Sequence, residues 1–118
     1  MRTLVPGTAT NDGVNGADYT LFYFNTLPDC YVTKEEAMLH GWKTQFKKLS
    51  QGLPGKVIGG NGYENDDSKL PQIPGRIWYE ADINYSGGRR NHQRLLFSND
   101  GLIFATYDHY RTFYEITN

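Results

Sequence analysis

A change of grammar at Pro54 constrains this chain more than any other feature: helix signals precede it, and almost only strand signals follow. Upstream, Thr33-Lys34-Glu35-Glu36 has the form of a capping box, in which the Thr hydroxyl and the Glu carboxylate satisfy each other's orphan backbone N–H groups. It predicts a helix over Lys34 to His40, with Gly41 as the residue that ends it. Residues 17–25 (ADYTLFYFN) predict a short helix before Thr26-Leu27-Pro28, although the aromatic and Thr content is poor for one. A third helical piece is expected near Phe46 to Gln51, ended by Gly52 and Pro54. Downstream, Val57-Ile58 reads as a short strand running into a loop. Arg76 to Tyr85 alternates β-formers with polar residues, placing Ile77, Tyr79, Ala81, Ile83 and Tyr85 on one face and Trp78, Glu80, Asp82 and Asn84 on the other. Further strands are expected over Gln93–Ser98, Leu102–Thr106 and Thr112–Ile116, with Asn99-Asp100-Gly101 as a hairpin signal. Helices first and strands afterwards give an α+β fold, with N-terminal helices packed on a five-stranded antiparallel sheet. At 118 residues the length prior gives one domain over 1–118, with residues 1–16 a loosely ordered lead-in.

Acidic and basic residues nearly cancel, leaving a formal net charge of −1, whereas dedicated phosphate-backbone binders are usually strongly basic. The total hides local clusters. Arg89, Arg90 and Arg94 with His92 are cationic, and Glu64, Asp66 and Asp67 are acidic. The single cysteine, Cys30, allows no intrachain disulfide and no thiolate metal site. No apolar run reaches membrane-spanning length, so no membrane association is expected, and no basic-then-apolar secretion signal opens the chain.

Two strand carboxylates, Glu80 and Asp82, share a face to which Arg90 and Arg94 can return one hairpin later. Such acids can simply meet water, and a carboxylate–guanidinium network can be purely structural. The same set also suits chemistry. Cleaving a phosphodiester without metal requires a base for the 2′-hydroxyl proton, an acid for the leaving 5′-oxygen and fixed cations for the transition state. Glu80, a histidine and two arginines supply these. His109, in a turn between strands, is the acid candidate, with His40 and His92 as competitors. No cofactor and no metal-ligand cluster is expected.

The residues LPDCYVTKEEA (27–37), Gly41-Trp42, Leu53-Pro54-Gly55-Lys56, Ile58-Gly59-Gly60, Lys69-Leu70-Pro71, Gly75-Arg76-Ile77-Trp78, EADINY (80–85), Arg90-Asn91, Arg94 and Tyr107 to Phe113 follow one another in an order that resembles the bacterial guanyl-specific ribonucleases, the barnase- and binase-like family. The resemblance runs from about Leu27 to Ile116 without a gap. It implies a metal-independent ribonuclease acting on single-stranded RNA, with Glu80 as general base, His109 as general acid, and Arg90, Arg94 and Lys34 holding the phosphate. Tyr110 matches an aromatic of the base-binding region, and Asp82 an acid that organises the arginines.

The base-recognition loop departs from the family pattern of an aromatic followed by an Asn-Arg-Glu-Gly-like run. Here Tyr63, Asn65, Asp66 and Asp67 are the candidate base-binding residues, with Asp66 at the family's Arg position, Asp67 at its Glu and Ser68 at its Gly. A weakened guanine preference is expected. The resemblance further implies a secreted enzyme, or the toxin domain of a larger delivered protein, and a small acidic inhibitor or immunity protein as partner. The alternative is a ribonuclease-fold module that binds RNA or protein without activity. Trp42 and Trp78 are expected in the core, Arg76 and Asp100 as an ion pair, and Arg89 and His92 in solvent.

Overall fold

The computed structural model describes residues 2–42 and 53–118. The elements are β1 (Thr3–Leu4), α1 (Ala17–Phe24), β2 (Tyr31–Val32), α2 (Lys34–Leu39), β3 (Val57–Tyr63), β4 (Trp78–Asp82), β5 (Arg94–Ser98), β6 (Ile103–Thr106) and β7 (Tyr114–Ile116), with a 3₁₀ turn at Gly13–Asn15. The third expected helix lies outside the described residues.

Both helices form where capping allows. Thr33 and Glu36 make the reciprocal capping box, and the chain leaves α2 through Gly41 at φ +89°. The helix α1 ends on Asn25 in the left-handed region, a conformation Asn tolerates better than most residues.

The class is α+β as expected, but the sheet is mixed and seven-stranded rather than five-stranded and antiparallel, in the order β1-β7-β6-β5-β4-β3-β2. Five antiparallel strands, β3 to β7, form its middle, and two-residue strands run parallel to the outer ones: Thr3 and Leu4 beside Glu115 and Ile116, Tyr31 and Val32 beside Val57 and Ile58. Two residues carry no periodicity, so neither flanking strand leaves a pattern to read. Each satisfies part of an otherwise bare sheet edge. The lead-in is correspondingly tied down rather than loose. Beyond the β1 pairing, the buried Asp18 carboxylate accepts the N–H groups of Gly7 (2.7 Å) and Ala9 (3.1 Å).

The strand β3 is longer than the expected Val57-Ile58 pair: it runs on through Gly59-Gly60-Asn61-Gly62 to Tyr63. Glycines weaken the strand signal, yet Gly59 and Gly60 have structural reasons. A Cβ on Gly59 would collide with the Tyr31 ring, and Gly60, at φ +101°, makes the bulge that shifts register between Gly59↔Ala81 and Asn61↔Glu80.

The alternation in β4 separates two cores. Leu95, Ile103, Ala105 and Ile83 pack with Ala17 and Leu21 of α1 on one face. Trp78, Leu96, Phe104 and Phe113 pack with Leu70 on the other. Glu80 and Asp82 share that second face with Trp78, at successive two-residue steps along a pleated strand. Trp42 packs with Ala37 and Ile58 in a third cluster under α2.

Candidate active site

Sheet register builds the floor of the site. Asp82, Arg94 and Thr106 are cross-strand partners in one rung, and Glu80, Leu96 and Phe104 in the next. Residues opposite each other on adjacent strands place their side chains on one face, so the carboxylates and Arg94 meet by pairing alone. Asp82 is 2% exposed and would be unstable as a lone anion. Arg90 donates to it twice, Nε at 2.7 Å and Nη2 at 2.8 Å, and Arg94 Nε lies 3.0 Å away. The Arg94 contact is an ion pair without hydrogen-bond alignment, while its Nη1 donates to the carbonyls of Asn91 (2.7 Å) and Gln93 (2.8 Å). The paired carboxylate raises the Arg90 pKa further above its ordinary value. Both guanidiniums are thus fixed cations.

The turn after β6 brings His109 and Tyr110 over this floor. Both have left-handed backbones, φ +58° and +72°, which non-glycine residues adopt only when held there. Asp108 is the principal clasp. Its Oδ1 accepts from Thr112 N (2.9 Å), Arg111 N (3.1 Å) and Thr106 Oγ1 (3.1 Å), and those bonds, led by Thr112, hold its carboxyl at about 2. Tyr110 N donates to Thr106 Oγ1 at 3.1 Å, and His109 N to the His92 carbonyl at 3.1 Å.

The clasped turn points Tyr110 at Glu80. Its hydroxyl donates to Glu80 Oε1 at 3.1 Å and titrates well above the ordinary phenol range, first from burial and then from the Glu80 charge. Tyr63 stacks on Tyr110, ring centroids 5.1 Å apart and planes 17° from parallel, forming an aromatic wall beside the carboxylate. His109 is surface-exposed, with a pKa below the usual 6.5 through partial desolvation and then the cationic influence of His92 and Arg94, opposed by Glu80.

The remaining candidates lie at the margins. Lys34 opens α2, and its backbone N–H donates to Asn61 Oδ1 (2.8 Å), whose residue is the β3 partner of Glu80. In the loop after β3, Asn65 is buried with its amide turned inward, donating to the Leu70 carbonyl (3.0 Å) and accepting from Leu70 N–H (3.2 Å). Asp66 and Asp67 are exposed, and Asp67 Oδ1 accepts the Lys69 N–H at 3.2 Å. His40 is an exposed cap of α2, whereas His92 touches His109. Sequence reasoning assigned no role to Asp108, Asn61 or Asn91. The Thr106-x-Asp108 and Asp108-x-x-x-Thr112 spacings are the available sign of a side-chain-held turn. The expected Arg76–Asp100 pair is present, with Arg76 Nη2 2.8 Å from Asp100 Oδ2. Among the described residues no three His, Cys, Asp or Glu side chains gather as metal ligands, and no helix is long and apolar enough to cross a membrane.

A profile of the ribonuclease family matches residues 15–117. A ribonuclease of Heyndrickxia coagulans is 49% identical over 107 residues, covering 91% of this chain and 95% of its own length. Ribonucleases of Bacillus intermedius and Bacillus pumilus are 49% identical over the same share of this chain, which spans 64% of each of them. A crystal structure of ribonuclease Sa2 with guanosine-2′-cyclophosphate overlaps 48% of this chain and 63% of its own, at 30% identity and a TM-score of 0.42, too partial an overlap to add weight. With a family profile spanning residues 15–117 and a relative matched over nearly its full length at 49% identity, the chain belongs to the ribonuclease family that this profile describes, whose matched relatives are bacterial ribonucleases.

Proposed function

We propose that this chain is a metal-independent endoribonuclease that cleaves single-stranded RNA by attack of the 2′-hydroxyl on the adjacent phosphorus, leaving a 2′,3′-cyclic phosphate. Glu80 takes the hydroxyl proton, His109 protonates the departing 5′-oxygen, and Arg90, Arg94 and Lys34 hold the phosphate. The observation that carries this reading is the convergence of Glu80, His109, Tyr110 and two immobilised arginines on one sheet face. Cations fixed before the reaction need no reorganisation as charge develops. The Tyr110 hydroxyl holds one oxygen of Glu80, orienting the carboxylate as base. Tyr63 and Tyr110 offer the surface on which the base 5′ to the cut stacks, and Asp67 supplies the acceptor for a guanine donor edge. The preference for guanine is weaker than is usual in the family, because the aspartate is a methylene shorter than glutamate.

The enzyme acts outside the cell or as the toxin domain of a larger protein, and its producer carries a small acidic inhibitor that covers the cationic cleft. Exposed Asp66 repels such an inhibitor where the family pattern has Arg. Incubation with single-stranded RNA in excess EDTA is the test. Fragments should end in 2′,3′-cyclic phosphate, and DNA, lacking the attacking hydroxyl, should remain intact. Loss of cleavage in EDTA, or DNA cut at a similar rate, would overturn the mechanism.

A further inference from the structure

A second imidazole lies against the candidate acid. The His92 and His109 rings are 4.7 Å apart between centroids and 31° from parallel, and the His92 carbonyl accepts the His109 N–H at 3.1 Å. His92 is not loosely hung. In its loop, the Asn91 amide donates to the carbonyls of Ile83 (2.9 Å) and Asn84 (3.1 Å), Asn91 Oδ1 accepts the Gln93 N–H (2.8 Å), and Arg90 is clamped on Asp82. The loop that supplies Arg90 and leads into Arg94 at the start of β5 therefore also supports the candidate acid.

We propose that His92 is a positioning residue for the acid: its carbonyl fixes the turn, and its ring couples the two imidazoles so that a proton on either discourages a proton on the other. This rests on His109 being the general acid. Around His109 the other charged groups are Arg94 from β5, Arg111 from its own turn, and Glu80 from β4, which alone favours the protonated form. Tyr110, its ring 5.0 Å away, stays a neutral phenol, and its carbonyl receives Lys69 Nζ at 3.4 Å. The Asp108 carboxylate is taken up by the turn's N–H groups. His92 is the neighbour in this set that is itself an imidazole, a side chain able to carry or release a proton, and its ring lies against that of His109. A protonated His92 makes His109 the stronger acid toward the leaving oxygen.

The test pairs His92→Gln, which removes the charge and keeps the carbonyl, with His92→Lys, which makes the charge permanent. The His109 ring is titrated by NMR, and the pH dependence of kcat/KM is followed on a guanosine-containing dinucleotide. In His92→Gln the His109 midpoint and the basic limb should both move upward by about half a pH unit, the size of a solvent-screened repulsion at this separation. In His92→Lys both should move down. His40→Gln, at the C-terminal cap of α2, is the control whose profile should stay that of the parent. Midpoints unmoved in both variants, or a lost rate with an unmoved limb, would overturn the coupling and leave His92 a packing residue. NMR midpoints that move while the rate limb stays would instead overturn His109 as the acid.

Discussion

Asp82 shows how one residue can hold a site together without reacting. It is buried and charged, and its compensation comes from Arg90 and Arg94, the two arginines that the proposed mechanism assigns to the phosphate. Removing one partner of a buried pair leaves the other uncompensated, so Asp82→Ala should destabilise the protein by ~3–5 kcal/mol in urea unfolding. It should also raise KM, since Arg90 and Arg94 lose their fixed geometry. A variant as stable as the parent with unchanged KM would mean that the arginines are held by other contacts. This role was legible in the sequence, because alternation puts Asp82 beside Glu80 and a hairpin returns the arginines. That of Asp108 was not. It depends on two consecutive non-glycine residues adopting left-handed backbones, which neither propensity nor periodicity encodes.

Among the elements, the loop after β3 carries the departure from the family. Ser68 adopts φ +56°, so its side chain is placed in a region that favours glycine, and Asn65, at φ +53°, braces the loop through Leu70. Ser68→Gly should stabilise the loop by about 1 kcal/mol, the low end of what a left-handed L-residue costs. Asp67→Glu should raise the guanine-over-adenine ratio on the order of tenfold, near the lower part of the ~1–3 kcal/mol carried by a good base contact. Urea unfolding checks the first variant and cleavage rates for GpN and ApN dinucleotides the second. An unchanged ratio would mean that this loop does not bind the base. Element legibility followed signal strength. The capping box, the Asn99-Asp100-Gly101 turn and the β4 alternation each have a local physical cause and appear where expected. The glycine-rich half of β3 and the two flanking strands exist because of tertiary partners, Tyr31 against Gly59 and β7 beside Thr3, so the local sequence does not announce them.

Across the whole molecule, electrostatics set both stability and rate. Asp100, bonded by Arg76 and Ser98, and Asp108, bonded within the turn after β6, both titrate at about 2 against an ordinary 3.8. A carboxyl depressed by folding contributes stability that is full above its unfolded pKa and is lost as pH falls through the folded one. Stability should therefore decline between pH 3.8 and about 2, and Asp100→Asn should flatten that decline while lowering stability near neutrality. Urea midpoints measured across this range check it, and an unchanged slope would contradict the Asp100 contribution. For activity the net charge of −1 said little, whereas the sheet register places opposite charges within one rung. The residue types alone left His40, His92 and His109 in competition for the acid, and the family resemblance supplied the choice. The most direct measurement is the pH profile of kcat/KM on a guanosine-containing dinucleotide in EDTA, for the parent, Glu80→Ala and His109→Ala. The parent should give a bell whose basic limb lies below the usual imidazole value of 6.5, because activity is lost as His109 gives up its proton. Each variant should fall by about 10²–10⁴-fold, Glu80→Ala losing the acid limb and His109→Ala the basic one. A basic limb that survives in His109→Ala, or an acid limb that survives in Glu80→Ala, would contradict the assignment of base and acid.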